Sequence, residues 1–93
     1  MPYVDQYYKT LVDFAIESIV RQIEDFVPEN KRSGVANYVI TQMTNKLYNS
    51  PESGYNEYNN AIGVLECAKL ELYRRVVSPY EDKKKEGNGD VYE

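Results

Sequence analysis

Between Lys69 and Lys85 the sequence sets six cationic side chains, Lys69, Arg74, Arg75, Lys83, Lys84 and Lys85, against three acids, Glu71, Glu81 and Asp82. Tyrosines interleave them at Tyr73 and Tyr80, and Tyr92 follows a glycine-rich turn. A guanidinium grips phosphate through paired N–H groups, and a tyrosine ring offers a flat apolar face for stacking. Together they suit a small anionic nucleotide. The same residues have a plainer use. Glu71 and Arg75 stand four apart, in the orientation of an intrahelical ion pair, and the lysine run suits a solvated helix face. A second polar group comprises Asn37, Tyr38, Thr41, Tyr55, Asn56, Asn59 and Asn60. Its amides can read base edges or serve ordinary capping and turn chemistry.

Catalysis has less to work with. There is no histidine, which removes the commonest general base and transition-metal ligand together. The one cysteine, Cys67, lies in an apolar helical run, which predicts a core or interface thiol rather than a nucleophile. A single thiol allows neither an internal disulfide nor a thiolate zinc site. The paired carboxylates Glu24-Asp25 and Glu81-Asp82 sit among charged or loop residues, where solvation is the default. No phosphate-binding loop, dinucleotide fingerprint or nucleophile elbow is present. The expectation is a protein that is not an enzyme and carries no metal and no cofactor.

Three helices must position these groups. Leu11, Val12, Ala15, Ile16, Ile19, Val20, Ile23 and Phe26 recur at three- and four-residue steps, predicting an amphipathic helix from Asp5 to Phe26. Pro28 to Gly34 reads as a connector. Val35, Val39, Ile40, Met43 and Leu47 predict a second helix from Val35 to Tyr48, and Asn49 to Gly54 a turn. Tyr58, Ala61, Ile62, Leu65, Ala68, Leu72 and Val76 predict a long third helix from Asn56 to Val77. Ser78-Pro79-Tyr80-Glu81 has the form of a capping box with proline at the first helical position. It should end the long helix and start a short fourth one. The tail, residues 87–93, either docks back or frays.

The long helix has a second apolar strip of Gly63, Cys67, Leu70 and Val77, away from Leu65 and Leu72. Two short helices hardly cover both faces of one long one, which predicts assembly through the third helix into a homo-oligomer, a dimer or tetramer. The competing arrangement has helices one and two flanking it in a monomer. The fold class is therefore all-α, one domain over residues 1–93. The chain of 93 residues has ten tyrosines, two phenylalanines, no tryptophan and a net charge of −4. That charge argues against binding long nucleic acid. No apolar stretch approaches the roughly 18 residues that cross a membrane, and the opening Met1-Pro2-Tyr3-Val4-Asp5 lacks the features of a signal peptide. A cytoplasmic location follows as the expectation.

Several runs resemble a family of small phage and prokaryotic proteins carried as a domain of unknown function. They are Ala36 to Thr41, the long stretch Ile62 to Val77, Pro79 to Lys83, Asn88 to Tyr92, and the opening Met1 to Asp5. The chain is also similar to the phage anti-CBASS sponge proteins, which bind cyclic dinucleotide immune signals and keep them from host effectors. That likeness implies a small oligomer in the host cytoplasm that holds a cyclic dinucleotide such as 3',3'-cGAMP without turnover. On this reading Arg74 and Arg75 hold phosphates, Tyr80 and Tyr92 stack on bases, and Asn37 and Tyr38 add polar contacts. The alternative is an oligomeric helical adaptor that grips another protein and has no nucleotide ligand, since Tyr and Arg also anchor protein interfaces.

Overall fold

A computed structural model describes residues 2–92. Met1 and Glu93, the two ends of the expected domain, lie outside the described residues. The protein is all-α: α1 spans Gln6–Phe26, α2 Arg32–Tyr48, α3 Tyr55–Leu72 and α4 Ser78–Asn88. Two units are distinguishable, Tyr3 to Ala61 and Ile62 onward.

In the first unit, Asp5 begins α1 through its backbone, its carbonyl accepting from the N–H groups of Tyr8 and Lys9 at 3.0 and 3.2 Å. The apolar stripe falls on α1 as its spacing predicts. The helix ends where Val27 turns extended and Pro28 follows with no N–H to give. Arg32 reaches back across this corner. Its Nε donates to the Val27 carbonyl at 3.2 Å and its Nη2 to the Glu24 carbonyl at 3.0 Å, satisfying acceptors that a helix C-terminus leaves open.

The connector expected from Pro28 to Gly34 is mostly helical instead. A 3₁₀ turn over Glu29–Lys31 leads directly into α2. Pro28 presets the helical entry, with Lys31 N–H bonded to its carbonyl at 2.9 Å, and Gly34 is absorbed inside the helix. The turn expected after Tyr48 is present and well built. Ser53 Oγ donates to the Tyr48 carbonyl at 2.6 Å, and Gly54 N–H donates to the Glu57 carboxylate at 3.2 Å, which caps the start of α3.

The largest departure lies at Ser78. The predicted helix end at Val77 does not exist: α3 runs through a π turn, Tyr73–Val77, straight into α4, giving one helix of 34 residues, about 51 Å long. Pro79 explains the π turn. A proline inside an α-helix clashes with the carbonyl four residues back and cannot donate to it. Widening the preceding turn relieves this, and Ser78 N–H bonds to the Tyr73 carbonyl, five residues back. Ser78 and Glu81 do not form a capping box, because no helix begins there. The helix stops at Gly89, whose φ of +91° only glycine adopts readily.

Little is buried. Among the described residues only Thr44 and Ala61 fall to 9% exposure, and no side chain is completely enclosed. Thr44 satisfies its hydroxyl on the Ile40 carbonyl at 2.7 Å. Cys67 is exposed, not in a core. Among the described residues, a Cβ added at Gly63 would meet nothing within 4 Å.

Candidate ligand-binding site

The π turn places Tyr73, Arg74 and Arg75 in succession on widened backbone. Glu71 organises the arginines. Arg74 Nη2 donates to both Glu71 carboxylate oxygens at 3.1 and 3.3 Å, and Arg75 Nη1 approaches at 3.9 Å. The pairing expected of Glu71 with Arg75 is thus shared, with Arg74 the nearer partner. Both guanidinium side chains are about two-thirds exposed, at 65% and 62%, whereas Glu71 is 24% exposed. The carboxylate is the fixed point and the cations fan outward from it.

Tyr73 turns the other way along the helix. Its hydroxyl donates to Glu81 Oε1 at 2.5 Å. That hydrogen bond, reinforced by the negative charge of Glu81, holds the Tyr73 phenol above its ordinary pKa of 10.0. Tyr80 lies under Lys84, whose ammonium stands 5.6 Å from the ring centroid.

Beyond Gly89 the tail bends back in a local Asp90 turn, Tyr92 N–H donating to Asp90 Oδ1 at 3.0 Å. With the end of α4 it forms an open cleft of about 590 Å³ lined by Tyr73, Lys84, Lys85 and Tyr92 together with Glu81, Asp82 and Asp90. Of the six residues predicted to bind ligand, this cleft contains only Tyr92. Arg74 and Arg75 gather on Glu71 instead, and Tyr80 with Lys84. Asn37 and Tyr38 belong to the first unit. There Asn37 accepts from the Thr41 hydroxyl at 3.3 Å and Tyr38 is exposed.

The contribution of Tyr73 was hidden in the sequence, and Glu71 was legible only as a partner of Arg75. Tyr73 stood out only as one aromatic among cations, and the Tyr73–Glu81 bond joins residues eight apart, which an unbroken α-helix would set about 80° out of line and the extra residue of the π turn brings together. The cleft is also more acidic than the sequence count suggests. Asp90 joins Glu81 and Asp82 against two lysines, and the C-terminal end of a helix disfavours anions. Chemically, the Arg74–Arg75 fan suits an anion better than the tail cleft, whose rings and hydrogen-bond acceptors suit an uncharged or amine-bearing group.

Among the described residues no cluster of acidic or thiol side chains has the makings of a metal site, and no helix is long and apolar enough to cross a membrane. No curated protein and no solved structure matches the chain significantly. A family model does match, over residues 1–91, and the chain belongs to that family, described as a domain of unknown function, DUF6899.

Proposed function

We propose that this protein is a non-catalytic binder that sequesters a cyclic oligonucleotide, as anti-CBASS sponges do, holding it in a homo-oligomer assembled through the long helix. The observation that carries the reading is the Tyr73-Arg74-Arg75 run on a π turn. Such turns recur at functional sites, and here one presents two outward guanidiniums anchored from behind by a half-buried carboxylate. Arg74 and Arg75 take the phosphates. Tyr80 and Tyr92 supply stacking faces, and Asn37 and Tyr38 contribute polar contacts from a neighbouring subunit. The resemblance to phage sponge proteins supplies the ligand class, for which 3',3'-cGAMP is the first candidate.

A thermal-shift panel of cyclic di- and trinucleotides tests this, with ligand recovered and checked by chromatography after heating. A binder gains about 2.7 kcal/mol at a hundredfold excess over Kd. Intact ligand with a large shift supports sequestration, whereas product appearing on incubation means an enzyme. A flat panel refutes the nucleotide reading and favours the second one, a helical protein-interaction adaptor. That reading draws on the bare apolar surface of the long helix, where Ile62, Leu70 and Leu72 are all more than half exposed.

A further inference from the structure

α1 carries a broad apolar face that is exposed along most of its length. Placed at 100° per residue, Leu11, Ala15, Ile19, Val12, Ile23, Ile16 and Val20 sweep one side of the helix, and all but Ile23 are exposed. At the corner with α2, Ile19, Ile23, Phe26, Val27, Val35 and Val39 line an open apolar cleft of about 360 Å³.

The charges beside this face say what covers it. Lys9, in the first turn of α1, and Glu24, in the last, both lie along the edge next to Ile16 and Val20. Among the described residues neither side chain makes an ion pair within the chain. Fifteen residues of helix hold them about 22 Å apart, so they cannot meet in one molecule. Two α1 helices laid antiparallel bring each Lys9 opposite the other copy's Glu24, twice by symmetry. Laid parallel about a two-fold axis, the same edges fall on opposite sides of the interface, so neither charge meets its complement, and the two helix dipoles align unfavourably.

We infer that a second copy of this chain packs antiparallel across the apolar face of α1. Its Tyr8–Leu11 end closes the corner cleft, and paired Lys9–Glu24 contacts set the direction. The interface is self-complementary, as a two-fold contact must be, and both corner clefts fill at once. It lies on α1, in the first unit, and it stands or falls without any ligand.

Sedimentation and light scattering of the full chain across micromolar concentrations, with charge-swap variants, test it. The expected result is a mass of at least two chains. Lys9→Glu and Glu24→Lys each raise the dissociation constant about three- to fivefold, the scale of two exposed ion pairs, and the double swap restores it to within about twofold. Restoration can arise only between molecules, because the two positions do not touch within one. Ile23→Asp, whose folding is followed separately by circular dichroism, weakens association at least a hundredfold. A single-chain mass near 100 μM overturns the inference, as does assembly indifferent to Ile23→Asp or a double swap no better than the singles. Nucleotide binding, present or absent, changes none of these readings.

Discussion

α1 and the stretch from Lys69 to Asn88 are both exposed helix, yet they are exposed in opposite ways. Around the second, polar groups answer one another: Lys69 pairs with Glu66 at 3.0 Å, both arginines turn to Glu71, Tyr73 bonds Glu81, and Lys84 covers Tyr80. α1 is the reverse, with a broad apolar side and, among the described residues, side-chain pairs only near its start, Gln6 with Thr10 and Tyr7 edge-on to Tyr8. Its surface lacks a complement and gains by acquiring one. The C-terminal stretch has already found partners in itself, so a ligand there must displace an existing contact rather than fill a void.

The largest expected effect lies on the apolar side. Ile23→Asp puts an unpaired charge where a partner should pack, and should lower stability by about 3 kcal/mol or more, with loss of the concentration dependence of thermal unfolding. Glu17→Gln, on the charged side of the same helix, should stay within about 0.5 kcal/mol. Equal effects in melts at several concentrations would dissolve the contrast between the two faces. Next come the arginines. Arg74→Ala or Arg75→Ala should weaken cyclic nucleotide binding by about 1.5–3 kcal/mol, the scale of hydrogen bonds to charged groups, with helix content unchanged. Calorimetry showing unaltered affinity in both variants would remove the fan from the site.

A smaller loss is expected at the corner. Arg32→Ala deprives the Glu24 and Val27 carbonyls of their donor and should cost about 1–2 kcal/mol, with amide exchange rising first in the last turn of α1. The smallest effect concerns Tyr73. Its folded pKa is raised, so the contact with Glu81 stabilises the protein fully below the unfolded tyrosine value near 10 and fades as pH climbs through the folded value. Titrating tyrosinate absorbance should reveal one late-ionising phenol that vanishes in Tyr73→Phe. An unchanged curve would mean that the bond does not persist in solution.

The contrast also marks what the sequence could convey. The stripe of α1 was legible because its period is local, and so were the turn at Asn49 to Gly54 and the all-α class. The passage through Ser78-Pro79 was not. A serine three residues ahead of a glutamate has the same spacing whether it caps a helix or lies within one, and a π turn leaves no trace in hydrophobic periodicity. Pro28 to Gly34 misled for a related reason, since loop-forming residue types also suit the first turn of a helix. The candidate site was legible in its parts, the arginines and tyrosines, but not in its grouping. That depended on Glu71 lying half-buried between two cations and on Asp90 folding back to make the tail cleft acidic.

The π turn also resets the phase of the long helix. An α-helix advances 100° per residue, so in unbroken register Val76 would continue the line of Leu65 and Leu72. With one residue added to the winding, Val77 takes that place, and Val77 is the half-buried valine while Val76 is exposed. Tyr73–Val77 thus acts as a frame shift written into the backbone. It divides the helix into two segments whose faces are indexed independently.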